Sequence, residues 1–320
     1  MADETGLHSP TYPSGYKSKA EIVSSNYEEG KPVYVIPQNI PEDSFEYWAE
    51  RIKQDQSRKL ETFGVDREGF VEFKSEKPLA FGLIGDPHSG NVFCNYDLFH
   101  SHLSLIKENP LFYAITGGDL TDSIFWGRGQ HEQIENASDQ QRYMLAALDW
   151  IGKNKIIAGY SGQHDQWSAE RGVTIYQEWH KRSGAYYFEG PSVLKIKIND
   201  QLYTLVGNHN PQGNSIYNDT HGENRESKFG IQGADVYFGF DTHKKGVSSQ
   251  VAKTVHGDMW QYYVKSGPYK YGDDYARYSG MTPTADNQLG AVWLVLYPDR
   301  HSVVVYKTAE EVNEAMKHYL

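Results

Sequence analysis

Five short stretches of the chain each put a metal-capable side chain directly after an apolar run. Asp86 and His88 stand in Gly85-Asp86-Pro87-His88-Ser89-Gly90, after the run 79–84. Asp119 and Asp122 stand in Gly117-Gly118-Asp119-Leu120-Thr121-Asp122, after 111–115. Gln163, His164 and Asp165 follow 155–159, Asn208 and His209 follow 202–206, and Asp241 and His243 follow 236–238. An apolar run of this length bounded by glycine reads as a buried strand. Ligands gather at the carboxyl ends of strands in open α/β sheets. On an extended chain residues two apart point the same way. Asp86 and His88 therefore offer a carboxylate and an imidazole to one side, half of a metal site. Taken singly, each stretch is explained by a polar turn. Five in chain order, each at a strand end, point to one constellation of ligands. His100, His102, His131, His180, His221 and His301 lie outside these stretches and read as ordinary surface residues.

The elements that must position these residues are strands and helices in alternation. Helices are predicted over 96–107, with Leu98, Leu103 and Ile106 inward, over 138–151, with Ser138 as the cap, and over 173–182. Further strands fall at 193–198, 202–206 and 236–238. The stretch 248–307 is mostly β, with 261–264 and 292–296 its clearest strands, and a helix over 309–319 closes the chain. Alternation followed by a β-rich half predicts a two-sheet α/β sandwich. Ahead of it, residues 1–30 lack any apolar period and read as a tail. A short edge strand ends at Pro37, and a helix begins near Ser44 with a thin stripe of Phe45, Trp48, Ile52 and Leu60. A strand over 69–74 leads into the core. The division expected is an N-terminal extension over 1–77 and a main domain over 78–320; the helix of the extension reads first as a solvated capping helix, and second as a docking element for a protein partner or nucleic acid.

Composition narrows the classes. The chain has 320 residues and is 38% hydrophobic, with a mean hydropathy of −0.67. It has no apolar run of membrane-spanning length and no signal-peptide core. A single cysteine, Cys94, rules out an internal disulfide framework, and a cytoplasmic setting (that of a host, if the chain is viral) is the expectation. The formal charge of −11 argues against coating nucleic acid by bulk attraction.

The five stretches together resemble the calcineurin-like metallophosphoesterase superfamily. Its pattern is Asp-x-His, Gly-Asp-x-x-Asp/His, Gly-Asn-His-Asp/Glu, a lone His, and Gly-His-x-His, and the match spans roughly residues 79 to 245. The resemblance implies a four-layer αββα sandwich carrying two divalent ions at the strand ends. Mn²⁺ is favoured, with Mg²⁺, Fe²⁺ or Zn²⁺ as alternatives. Carried over position by position, one ion takes Asp86, His88, Asp119 and His243. The other takes Asp119, Gln163, His209 and Asp241, with Asp119 bridging. His164 matches the histidine that faces the leaving group, and Asp165 would orient it. The implied reaction is hydrolysis of a phosphate ester by a hydroxide between the ions.

Two positions depart from that pattern. Gln163 stands in place of Asn, and Asp241 in place of the first His of the last motif. The second ion then sees three oxygens and one nitrogen, which leans toward harder ions. For the substrate, the resemblance reaches both Mre11/SbcD-type nucleases, including phage-encoded relatives with an added N-terminal segment, and small-molecule phosphodiesterases. Gly-Asp-Leu-Thr-Asp is closer to the latter. The stretch from Lys244-Lys245 to Lys265 and Lys270-Tyr271 mixes cations with aromatics, as a nucleic-acid backbone with stacked bases requires. Asn91, Lys244 and Lys270 are the candidates for contact with substrate. Nucleic acid is favoured, a small phosphate ester is second, and a degenerate partner-binding scaffold third.

Overall fold

A computed structural model describes residues 44–62, 67–124, 129–170, 172, 175–254, 257–278, 280 and 282–320. The predicted tail over 1–30 and the edge strand ending at Pro37 lie outside them. The chain divides into two compact units at Gly64/Val65. The first contributes one described helix, α1 (Phe45–Thr62), with Glu46 in its first turn. Phe45, Trp48 and Ile52 of the expected apolar stripe are exposed.

The second unit is built on two six-stranded sheets. In one, the strands run in the order β12 (Val303–Tyr306), β11 (Val292–Leu296), β2 (Leu79–Ile84), β3 (Phe112–Thr116), β4 (Ile156–Tyr160) and β5 (Tyr186–Phe188). In the other, the order is β1 (Glu68–Phe73), β6 (Ser192–Ile198), β7 (Gln201–Gly207), β8 (Val236–Gly239), β10 (Gly257–Lys265) and β9 (Gly246–Thr254). β1, which the sequence reading placed in the extension, pairs parallel with β6.

The period-two alternation of β2 explains the layering. Leu79, Phe81 and Leu83 enter the core between the sheets, with Leu194, Ile196, Leu205 and Phe238 from the opposite sheet. Ala80 and Ile84 face outward, under α2 (Tyr96–Glu108) and α3 (Ala137–Ile151), with Phe99, Leu103, Met144 and Leu148. Helix α3 is capped by Asn136, whose side chain accepts from the Asp139 amide, not by Ser138. On the outer face of the second sheet, α6 (His221–Phe229) packs against β8. The layers are therefore helix, sheet, sheet, helix. Two histidines expected at the surface are core residues instead. His102 is buried with its Nδ1 2.7 Å from the Tyr269 hydroxyl, and His180 is buried with its Nδ1 2.7 Å from the Tyr176 carbonyl. No helix among the described residues is long and apolar enough to cross a membrane.

What matters for the site is strand direction. β2, β3 and β4 are mutually parallel, and so are β7 and β8. Their carboxyl ends carry all five sequence stretches to the same edge of the sandwich.

Candidate metal centre

The turns after these strands are held in unusual backbone. Among the described residues, seven non-glycine residues have positive φ, and five of them are Asp86 (51°), His88 (46°), Asp119 (46°), Asp241 (67°) and His243 (53°). Left-handed backbone costs an L-residue free energy and persists where the surroundings over-determine it. Asp86 and His88 thus converge through a left-handed turn, not through the alternation of an extended strand. The surroundings are visible in the packing. A Cβ on Gly85 or on Gly117 would lie 2.3 Å from the ring of Phe240, so both glycines are needed to let that buried ring under the two turns. The turns are tied across the sheet by Asp86 N–H to Gly118 O and His88 N–H to Asp119 O, each 3.1 Å. The two sheets are tied together where the Asp241 amide donates to Asp86 Oδ2 at 2.8 Å.

The side chains form three overlapping groups, each with ligand atoms within 4.8 Å of one another. They are Asp86 with His88 and His243, Asp86 with Asp119 and His209, and His88 with Asp119 and His164. Partners set the tautomers. His88 Nδ1 lies 3.0 Å from Asp122 Oδ1, and a carboxylate can only accept, so Nδ1 carries the hydrogen. Its Nε2 lone pair then faces His243 Nε2 at 3.1 Å. His209 Nδ1 donates to the Gly117 carbonyl at 2.5 Å. Its Nε2 is left facing Asp119 Oδ2 at 3.3 Å, Asp241 Oδ1 at 3.8 Å and Asp86 Oδ1 at 3.9 Å. Asp86 Oδ1 and His209 Nε2 are both buried without a hydrogen-bond partner. Buried lone pairs converging in this way are costly unless a cation or a proton stands between them. The donor set fits divalent ions: Asp86, His88 and His243 on one side, His209 and Asp241 on the other, with Asp119 between the two imidazoles.

Electrostatics without an ion shows the same demand. Burial lifts the Asp86 carboxyl to about 8, against the pull of His209. Burial opposes the charged form of Asp119 as well, but His209, His164 and His88 together hold it well below the carboxylate range. Burial works against a charged His209, yet Asp119 and Asp86 raise it to about 10. Burial first, then other positive groups, push His88 down to about 4 and His243 down to about 3.

His164 is on α4 (Gln163–Glu170) with its amide donating to Asp119 Oδ1 at 2.8 Å. Its Nδ1 is bonded to the Asp122 carbonyl oxygen. Asp165 does not orient that ring. Its Oδ2 accepts the amides of Asp119 and Gly162, both at 2.9 Å, so it pins the β3 turn to the β4 turn. Gln163 opens α4 and is exposed.

Three expected substrate contacts need correction or narrowing. Asn91 is 0% exposed and gives its amide to Asp122 Oδ2 and Glu132 Oε2, at 2.9 and 3.1 Å. Lys270 is 1% exposed and pairs with Asp122 Oδ1 at 3.1 Å and Asp273 Oδ2 at 2.8 Å. Both back up Asp122 instead of facing substrate, and only Lys244 of the three is exposed. The basic stretch thins further. Lys245 is buried with its ammonium on the Leu289 carbonyl, and Lys265 is buried in an ion pair with Glu223 at 3.2 Å. The residue to which the sequence reading gave no role is Asp122 itself. Its carboxylate fixes His88, and its place three residues after Asp119 in the Gly-Asp motif was the available signal.

No protein-family model matches the chain, and no curated protein matches it in sequence. Among solved structures, it is similar to a metallophosphoesterase from Sphaerobacter thermophilus, at TM-score 0.36 and 12% identity over 75% of this chain and 94% of that one. It is similar to Vps29 from Chaetomium thermophilum, at TM-score 0.34 and 11% identity over 71% and 96%. It is similar also to Vacuolar Protein Sorting 29 from Cryptosporidium parvum, at TM-score 0.36 and 14% identity over 72% and 97%. Two six-stranded sheets with helices on their outer faces make this architecture a four-layer αββα sandwich, with the candidate ligands gathered at the carboxyl ends of its strands.

Proposed function

We propose that the chain is a divalent-metal-dependent phosphoesterase acting on phosphodiester bonds. The observation that carries this reading is the convergence of buried, hydrogen-bond-free donor atoms from His209 and Asp86 with Asp119 and Asp241. Ions bound there supply Lewis-acid charge and a lowered pKa for bound water. The chain's own groups do the rest. Asp119, between two imidazoles, would be the residue to touch both ions. Asp122 keeps His88 Nδ1 protonated, so that Nε2 is always the ligand atom. His164, with Nδ1 committed to a carbonyl, has Nε2 left to hold a proton for the departing oxygen.

The preference for nucleic acid rested on a run of lysines. With Lys245, Lys265 and Lys270 buried in internal pairs, that support is withdrawn, and a compact phosphodiester becomes the better-supported substrate. Turnover of bis(p-nitrophenyl) phosphate with added Mn²⁺, against p-nitrophenyl phosphate and a labelled DNA strand, tests the reading. Faster turnover of the small diester than of either is expected. Degradation of the DNA strand at a higher rate would restore the nucleic-acid reading. No turnover of any of the three under metal would sink the enzyme reading in favour of a binding scaffold.

A further inference from the structure

The His164 ring is in contact with two other aromatic rings. His88 is buried, and His164 stands edge-on to it with centroids 4.7 Å apart at 87°. Trp167 also lies against His164, with centroids 4.5 Å apart at 42°. His164 and Trp167 are three residues apart on α4, which puts their side chains on one face of that helix. His164 and Trp167 are both partly exposed.

An imidazole in this position has two ways to lose its aim. It can rotate about its own bonds, or it can swing with the first turn of α4. The backbone is held, because the His164 amide is bonded to Asp119 Oδ1 and Gly162 is clamped by Asp165. The ring is tied at Nδ1 by one hydrogen bond to the Asp122 carbonyl. One hydrogen bond leaves a ring free to pivot about it. The contacts with His88 and with Trp167 both oppose that pivot. His88 cannot move away in turn, because Asp122 fixes its own Nδ1.

We propose that Trp167 is a positioning residue for His164, holding its imidazole so that Nε2 points at the leaving-group oxygen. This rests on the phosphoesterase reading above for its kinetic consequence, but not for the geometry itself. An aromatic pair is worth enough for its loss to cost about tenfold in the population of the aligned ring. That loss matters only where the proton from His164 is needed.

The test compares Trp167→Ala and Trp167→Phe with the parent on two diaryl phosphates in the presence of Mn²⁺. Bis(p-nitrophenyl) phosphate has a good leaving group and diphenyl phosphate a poor one. Trp167→Ala should lose about tenfold in kcat on the poor leaving group and under about twofold on the good one. Trp167→Phe, which keeps a ring in place, should recover most of the loss. In a His164→Asn background, Trp167→Ala should cost nothing more. An equal loss on both substrates, or a further loss in that background, overturns the proposal. A second readout needs no turnover. Nitrogen NMR of the His164 ring, read at a pH where the ring is neutral, should show one tautomer, with hydrogen on Nδ1, in the parent and in Trp167→Phe, and a mixture in Trp167→Ala. An unchanged ring spectrum in Trp167→Ala overturns the positioning role even if the chain hydrolyses nothing. Absent hydrolysis with a changed spectrum sinks the phosphoesterase reading and leaves the positioning role standing.

Discussion

His88 Nε2 and His243 Nε2 face each other at 3.1 Å, and the hydrogen of His88 is already committed to Asp122 through Nδ1. Burial and the Lys270 ammonium disfavour a charged imidazole on either side. A divalent ion relieves that juxtaposition where a proton does so poorly. Mn²⁺ should therefore raise the melting temperature, and a chelator should lower it to the metal-free value. His243→Ala should hold one fewer ion by elemental analysis while keeping its circular dichroism. The same ion count in both proteins would remove His243 from the site.

Metal uptake should release protons. In the metal-free protein His209 is raised to about 10 and Asp86 is raised as well, so at pH 7 this buried pair holds at least one proton that an ion must displace. The sign follows: affinity strengthens as pH rises, by up to about tenfold per unit for each proton displaced, and levels off above about pH 10. Calorimetric titrations with Mn²⁺ in two buffers of different ionisation enthalpy measure the protons directly. A heat that does not depend on the buffer would contradict this.

Asp241 offers an anionic oxygen in the place that a histidine holds in the sequence pattern the chain resembles. Its amide bond to Asp86 belongs to the backbone, so changing the side chain leaves the cross-sheet tie intact. Asp241→His should shift the preferred activator from Mn²⁺ toward Zn²⁺. Asp241→Ala should weaken the second ion by roughly 10–100-fold or more, judged from what even outer-shell losses cost. An unchanged titration curve for Asp241→Ala would reduce Asp241 to a turn residue.

Lys270 should be a stability residue whose removal does not harm metal binding. Lys270→Met leaves the fully buried Asp122 carboxylate without its cation, which costs on the order of 3–5 kcal/mol for a broken buried pair. It also removes a positive charge that opposes cations at His88 and His243. Urea unfolding should show the loss of stability, and Mn²⁺ titration should show affinity equal to or tighter than the parent. Weaker ion binding together with full stability would reverse the assignment.

His164→Asn should keep both ions and slow turnover by about 10²–10⁴, with the deficit shrinking for leaving groups of low pKa. A uniform deficit across leaving groups would make His164 a binding residue.

Much of the centre was legible because each apolar strand ends in a small residue and then a ligand type, a local signal that needs no distant partner. The two-sheet α/β sandwich followed from the alternation of strands and helices. What escaped depends on contacts far apart in sequence. Lys270 reads as an exposed base until Asp122, 148 residues away, is seen beside it, and the same holds for Lys265 with Glu223. The left-handed turns at Asp86 and His88 come from tertiary packing around Phe240, which no dipeptide announces. Helix α6, His221–Phe229, has no apolar stripe to mark it, since its buried residues are Gly222, Glu223 and Ser227.

The left-handed backbone at five ligand positions also governs how the site could be lost over evolutionary time. Such backbone is open to glycine, asparagine and aspartate, less so to histidine, and closed to β-branched side chains. Random drift at Asp86, Asp119 or Asp241 would thus be filtered by the fold before it was filtered by chemistry. A lineage abandoning catalysis has a narrow corridor, in which one carboxylate oxygen becomes an amide nitrogen or the side chain disappears altogether. Along that corridor a silent descendant would keep the sandwich at little cost, and elsewhere each lost carboxylate would add backbone strain on the order of 1–3 kcal/mol.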